Sequence, residues 1–430
     1  MNALPHDDED LLAELLGQAL EASDRGAEPD LAALCGDRQD LVPELAAALG
    51  MRGDLPGLHG RASTADDHSG RILAGRYRLD QAIGQGAVGA VFRARDLRLD
   101  RDVAVKLLHH GLFSSPDTEA RFHREAEVLA QNEHPHIVRI YDQGRDDDGA
   151  AFLVTELLRG ASLQTVLDAS RAAMPDGPDG RRFAANDWLR ELLPAADLEH
   201  SYLRQVVTWI RQLTTGLATA HGQGVFHRDI KPSNIWIRDD GSAVLLDFGI
   251  AARDGDPSMT LPSAIVGTPC YMAPEQAGGR PEPKPTIDVY GLTATLYHLL
   301  TLTPPHEGDL QTVLRAVVAE DPEPATWRHP GLPRDLQAIL DCGLEHDLGR
   351  RYPTVDGLGQ DLAAFLDHRP VSVRPIGPLH RFARRCRRRP ARTLSFVLGA
   401  GLVAVLVLVV PLWAALELQA ANDERDALLA

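Results

Sequence analysis

The sequence predicts an α+β fold in two lobes, a small strand-rich one followed by a larger helical one, with a single membrane-crossing helix near the C-terminus. Three features carry this expectation. Segments of strand character cluster between residues 77 and 155, helical periodicity dominates from Tyr202 to about Asp367, and residues 394–416 contain no charged side chain.

Residues 1–70 open with an acidic run and then place Leu11, Leu12, Leu15, Leu16 and Leu20, and later Leu41, Leu45 and Leu49, at helical spacing. Two short helices are expected there, either an appendage packing on itself or a docking element. The polar stretch RASTADDHSG at 61–70 reads as a linker. Strands are expected at Tyr77–Ile83, Ala90–Arg95, Asp102–Leu108 and Ala151–Thr155, interrupted by a helix over Asp117–Gln131. This divides the main domain, 77–366, into lobes at 77–155 and 156–366. Within the second lobe the stretch of about 169–200 contains MPDGPDGRRFAANDW, too rich in Pro, Gly and Asp for a periodic element, and reads as an inserted surface loop.

Leu394 to Leu416 provides an uncharged run that as a helix would reach about 34 Å, enough to span a bilayer, with Pro411 placed to kink it near its end. Arg381, Arg384, Arg385, Arg387, Arg388, Arg389 and Arg392 precede it, in a basic segment at 371–392. Glu417, Asp423, Glu424 and Asp426 follow it, in a tail at 417–430. The positive-inside rule then predicts a single-pass protein of the cell membrane with its main domain in the cytoplasm. The arginines of 381–392 suit anionic lipid head groups.

The formal net charge is −17 and the base is concentrated in that one cluster, so a broad nucleic-acid footprint is not expected. Cys35, Cys270, Cys342 and Cys386 lie far apart with no CxxC spacing, which argues against a disulfide framework or a zinc site. The acidic N-terminus MNALPHDDED does not have the form of a secretory signal.

The residues that carry chemistry begin with Gly84-Gln-Gly86-Ala-Val-Gly89-Ala-Val91, which follows the strand ending at Ile83 and precedes another strand. Before a helix this spacing would suggest dinucleotide binding. Between two strands it makes a hairpin that is either ordinary or able to cover phosphates with its amides. Val103-Ala104-Val105-Lys106 then brings an ammonium to the end of an apolar strand, where polyphosphate is a natural counter-charge. Glu125, on a helix with Phe122, Val128 and Leu129, is either the carboxylate that fixes Lys106 or a plain surface residue. His227-Arg228-Asp229-Ile230-Lys231-Pro232-Ser233-Asn234 packs a carboxylate, cations and an amide into one loop, and Asp247-Phe248-Gly249 follows the apolar strand Val244–Leu246. Asp247 and Asn234 form an oxygen pair of the kind that suits Mg²⁺.

These motifs, with Gly267-Thr268-Pro269-Cys270-Tyr271-Met272-Ala273-Pro274-Glu275, Asp288-Val289-Tyr290-Gly291 and Arg351, resemble the eukaryotic-type protein kinase family from about Tyr77 to Leu366. The resemblance implies the bilobal kinase fold, with MgATP as phosphate donor and proteins as acceptors. It implies an ATP site of Ile83, Gly84, Gly86, Gly89, Val91, Ala104, Lys106, Glu125, Thr155, Glu156 and Leu157, in which Lys106 pairs with Glu125 and binds the α- and β-phosphates. Glu156 and Leu157 would supply backbone contacts to adenine, behind a gatekeeper Thr155. Asn234 and Asp247 would hold magnesium, Asp229 would be the catalytic base, Lys231 would steady the γ-phosphate and Thr268 would bridge Asp229 and Lys231. Glu275, Asp288 and Arg351 would be structural.

The Asp229-x-Lys231 spacing and the GTPxYMAPE-like run look like the Ser/Thr branch. In relatives an arginine at the place of Arg228 often receives an activation-segment phosphate, which makes Ser258, Thr260 and Ser263 candidate autophosphorylation sites, in trans within a homodimer if one forms. The end of the domain and the single span resemble membrane-anchored bacterial members. Two other readings stand beside this one. They are a pseudokinase scaffold without turnover, which would usually lack one of Lys106, Asp229, Asn234 or Asp247, and a kinase-like fold acting on small molecules, which would differ around GTPCYMAPE. His134-Pro135-His136 resembles a family turn more than a metal site, and Cys270 a packing residue more than a redox switch.

Overall fold

A computed structural model of the chain describes Cys35, Arg38 and residues 68–86, 89–108, 116–131, 133–146, 148–174, 187–198, 201–248, 269–279 and 284–373. The two helices expected within residues 1–70, around Leu11–Leu20 and Leu41–Leu49, the tip of the glycine hairpin, the candidate phosphosites, Thr268 and everything after Val373 lie outside the described residues.

The first lobe is a six-stranded sheet of order β1-β2-β3-β4-β6-β5, with every described pairing antiparallel. The strands are β1 (Ile72–Leu73), β2 (Tyr77–Gly86), β3 (Gly89–Asp96), β4 (Arg101–Leu108), β5 (Ile140–Arg145) and β6 (Ala151–Glu156). Period-2 alternation separates their faces. Phe92, Val103, Val105, Phe152 and Val154 pack with Tyr77 and Leu79 in one core. Ala151 and Leu153 turn the other way, toward Phe122, Ala126 and Leu129 of helix α1 (Pro116–Gln131). That second cluster is continuous with the core of the helical lobe, so the sheet's underside and the helices below share one apolar interior.

The second lobe begins with a three-stranded antiparallel sheet, β7 (Gly160–Ser162), β8 (Ile235–Arg238) and β9 (Ala243–Leu245), in sequence order. Between β7 and β8 the chain forms α2 (Leu163–Ala173), α3 (Asp187–Leu192) and α4 (Tyr202–His221), and after β9 come α5 (Pro274–Ala277), α6 (Pro285–Thr301), α7 (Leu310–Ala319), α8 (Ala325–Arg328), α9 (Arg334–Gly343) and α10 (Val355–Leu366). Side-chain caps start several of them: Ser162 accepts the Thr165 N–H, Ser201 the Arg204 N–H, Asp309 the Thr312 N–H and Thr354 the Gly357 N–H. Helix α6 is apolar almost all round and buried from Thr286 to Thr301, which makes it the axis on which the lobe packs.

The stretch expected as a surface loop differs. Helix α2 runs on to Ala173, and residues 187–198 fold back so that Leu189, Leu193 and Leu198 enter the core while Trp188 packs against Tyr202, 5.6 Å between ring centres and tilted by 48°. Burial of these apolar side chains outweighs the Pro/Gly/Asp composition around them. Residues 175–186, the richest in Gly and Pro, lie outside the described residues.

Candidate active site

The cleft lies between the two sheets. The glycine hairpin joins β2 to β3, with Gly84 opposite Val91 and Gly86 opposite Gly89. Gly89 is required by packing, because a Cβ there would stand 2.1 Å from the carbonyl oxygen of Leu107. Across β3 and β4, Val91 pairs with Lys106, and across β4 and β6, Ala104 pairs with Thr155 and Val103 with Glu156. Ile83 at the rim is half exposed, Ala104 is buried, and Leu157 begins the crossing to the second sheet.

The loop of residues 227–234 is held from below. The Asp288 carboxylate, buried in α6, accepts the N–H groups of His227 at 2.8 Å and Arg228 at 2.7 Å and contacts His221 Nε2 at 2.8 Å. It thereby stabilises Arg228 in a left-handed conformation, φ 64°, that costs a non-glycine residue on the order of 1 kcal/mol. His227 ties this loop to the next strand: its Nε2 donates to the Leu246 carbonyl at 2.7 Å and its ring lies 4.8 Å from that of Phe248. Gln276, which the sequence did not single out, donates from Nε2 to the Arg228 carbonyl at 2.9 Å and accepts the Ala273 N–H at 3.0 Å.

Asp229, Lys231 and Asn234 converge. Lys231 Nζ and Asn234 Nδ2 both donate to Asp229 Oδ2, at 2.8 and 2.9 Å, and Asn234 Nδ2 also donates to the Asp229 carbonyl at 2.8 Å. With its nitrogen so committed, the Asn234 amide leaves Oδ1 as the available ligand atom. Asp247, at φ 44°, follows β9, and its Oδ2 lies 2.8 Å from Lys106 Nζ.

That last contact corrects one expectation. Lys106 pairs with Asp247 and not with Glu125; the Glu125 carboxylate faces Arg228 instead, with Oε1 3.7 Å from Nη2. Helix α1 therefore directs its acid toward the guanidinium of Arg228, and the ammonium of β4 takes the carboxylate that emerges beside it. A partly buried charge pairs with the opposite charge that the backbone brings within reach.

Glu275 and Arg351, 76 positions apart, form a bidentate pair, Nη1 to Oε1 at 2.7 Å and Nη2 to Oε2 at 3.1 Å. Arg351 is buried and donates further to the carbonyls of Glu345 and Thr286 at 2.8 and 2.9 Å. Next to this brace, Cys270 is buried and its thiol is pushed up to about 12 by desolvation, so the reactive thiolate is disfavoured. Tyr271 Oη lies 2.5 Å from His298 Nδ1, and Arg171 Nη2 lies 2.6 Å from His298 Nε2. A guanidinium can only donate, so Nε2 is the acceptor and Nδ1 carries the proton. His134 and His136 make local bonds: His134 Nδ1 accepts the His136 N–H at 3.1 Å, and His136 Nδ1 donates to the Ala243 carbonyl at 2.8 Å.

Comparison with known proteins fits this geometry. The family model described as "Protein kinase domain" matches residues 77–360. A probable serine/threonine-protein kinase of Streptomyces coelicolor is 34% identical over 309 residues, covering 70% of this chain and 42% of the relative. Serine/threonine-protein kinase pkn3 of Myxococcus xanthus is 35% identical over 279 residues, covering 63% and 46%. PknB of Mycobacterium tuberculosis is 34% identical over 296 residues, covering 67% and 43%. The chain thus spans under half the length of these curated relatives. Among solved structures, a variant of the Mycobacterium tuberculosis PknI kinase domain superposes with a TM-score of 0.50 at 23% identity, covering 69% of this chain and 97% of that one, a likeness of fold. On the family match, over residues 77–360, the chain belongs to the protein kinase domain family.

Proposed function

We propose that the chain is an active, membrane-anchored protein kinase that transfers the γ-phosphate of MgATP to serine or threonine hydroxyls of other proteins and of its own activation segment. The convergence of Asp229, Lys231 and Asn234 within hydrogen-bond distance of one another, with Lys106 and Asp247 paired across the same cleft, carries this reading. In the transfer, the acceptor oxygen forms a bond to the γ-phosphorus as the bond to the β-bridging oxygen breaks. The hydroxyl proton passes to the Asp229 carboxylate, and ADP leaves. Asp229 orients the hydroxyl, Lys231 steadies the γ-phosphate and Lys106 neutralises the α- and β-phosphates, so most of the rate gain comes from position and charge.

The donor set fits a hard cation. Asp247 offers a carboxylate and Asn234 an amide oxygen, and phosphate oxygens and water complete such sites. Among the described residues there is no cluster of three or more His, Cys, Asp or Glu side chains arranged for a metal ion, so the protein's share would be this oxygen pair. Bound Mg²⁺ would offset charge on the β- and γ-phosphates.

Ser258, Thr260 and Ser263 are the proposed autophosphorylation sites, with Arg228 as the receiving cation. Among the described residues no helix is long and apolar enough to cross a membrane; the proposed span, 394–416, lies outside them, as does the basic cluster proposed to meet anionic lipid. The test is transfer from labelled ATP by the full chain in detergent, beside Asp229→Asn. Label on serine or threonine that disappears in the variant supports the reading. Measurable ATP binding with no label on any of a panel of acceptors favours a scaffold without turnover.

A further inference from the structure

The crossing from β6 to β7, residues 157–159, is where the backbone leaves one sheet and enters the other. Both of its ends are held by β8. Gly160, just after the crossing, pairs with Arg238, and at φ +118° its missing Cβ would lie 2.0 Å from the Ile237 carbonyl oxygen. No other residue permits so close an approach. Trp236 Nε1 donates to the Arg159 carbonyl at 3.1 Å. The Arg238 side chain then reaches back to the start of the crossing, where Nη2 donates to Glu156 Oε1 at 2.7 Å while Nη1 donates to the Pro135 carbonyl at 3.1 Å.

Glu156 has a second grip. Its Oε1 accepts the Arg139 N–H at 2.9 Å, and its own N–H donates to the Arg139 carbonyl at 3.0 Å. The segment that carries Arg139 is fixed to β9: His136 Nδ1 bonds the Ala243 carbonyl at 2.8 Å, Val138 N–H donates to Leu245 and Leu245 N–H to His136. Among the described residues, the two groups bonded to the Glu156 carboxylate are thus Arg238 of β8 and Arg139, whose segment is bonded to β9.

We propose that Arg238 is a positioning residue for the nucleotide: by holding Glu156 through its side chain and Gly160 through its backbone, it fixes the crossing so that the peptide groups of Glu156 and Leu157 meet adenine already in place. This rests on the kinase reading above. The planar fork of a guanidinium holds its donors to two acceptors, Glu156 and Pro135, in one fixed geometry, which an ammonium on a flexible stem does not impose. A crossing so held loses less freedom when adenine binds, and preorganisation of this kind appears as affinity and not as turnover.

The test titrates MgATP into the full chain in detergent, below its melting temperature, and measures KM for ATP and kcat with a peptide acceptor. Arg238→Gln is expected to raise both the ATP dissociation constant and KM about five- to tenfold, with kcat at saturating ATP within about twofold of wild type. Arg238→Lys should fall between the two, and Trp236→Phe should raise KM about twofold. Should Arg238→Gln not fold, Glu156→Gln, which keeps the side chain's size and removes the charge, is expected to give the same rise in KM. A folded variant with unchanged ATP affinity, or one that loses kcat at unchanged KM, overturns the clamp. Wild-type protein that binds no ATP overturns the kinase reading and the clamp with it.

Discussion

Lys106 Nζ lies 2.8 Å from Asp247 Oδ2, so the cation and the carboxylate expected to serve phosphate and metal neutralise each other across the cleft. The side chains are 18% and 40% exposed, a setting in which an ion pair contributes about 0–1 kcal/mol. Phosphate and a divalent cation would give each group a stronger partner. Lys106→Met is accordingly expected to lower kcat/KM by a factor of at least about 100 while the melting temperature barely moves. A loss of more than about 3 kcal/mol in urea unfolding would instead make the pair a structural brace.

Glu275 and Arg351 behave oppositely. Arg351 is buried and spends its donors on Glu275 and two carbonyls, so removing the acid strands a charge in the interior. Glu275→Ala is expected to cost roughly 3–5 kcal/mol and to lower the melting temperature by on the order of 10 °C. Urea unfolding at neutral pH checks this, and a change under about 1 kcal/mol would reassign the pair to the weak, exposed class.

How much of this is readable in the chain depends on distance along it. Strands β2 and β3 are legible by alternation, and β4 and β6 as short apolar, β-branched-rich runs buried on both faces. The short β9 shows only as an apolar run, Val244–Leu246, one residue from its place at Ala243–Leu245, while the short β1 and β7 and the polar β5 carry too few positions for a period to show. The Pro/Gly/Asp-rich insertion conceals Leu189, Leu193 and Leu198, whose burial depends on a surface supplied by other helices. In the site, Asp229, Lys231 and Asn234 are legible together because they fall in one loop. The partner of Lys106 is not, since it depends on where α1 lies relative to β4 and to the segment after β9. Nor is the contact between Glu156 and Arg238, residues 82 positions apart that no local motif links.

Two buried histidines give a pH dependence with a definite sign. Burial, with Arg171 adjacent, lowers His298 to about 3, and burial, with His346 nearby, lowers His306 to about 4. Their unfolded value is about 6.5, so below that pH the unfolded chain takes up protons that the folded chain refuses. Stability is full above about pH 6.5 and falls as the solution is acidified, by up to about 1.4 kcal/mol per pH unit for each histidine. His306→Leu removes one of the two, since its buried Nε2 makes no hydrogen bond among the described residues. Its urea stability between pH 7 and 5 is expected to fall with a shallower slope than the wild type, whose slope also includes His134 and His136, both lowered by burial, and an unchanged slope would put the titration elsewhere.

Thr155 stands on β6 opposite Ala104 of β4, one residue before the clamped Glu156, and its Oγ1 donates to the Glu156 carbonyl at 3.3 Å. A threonine and an alanine facing each other across two strands leave a small wall behind the proposed adenine position, so bulky ATP-competitive inhibitors should enter. Thr155→Met fills that space. It is expected to weaken such inhibitors at least about tenfold while the KM for ATP changes by less than about threefold, because specificity here comes from a clash with the inhibitor alone. Dose–response curves on the two proteins at matched ATP decide it, and equal potency would remove Thr155 from the wall of the site.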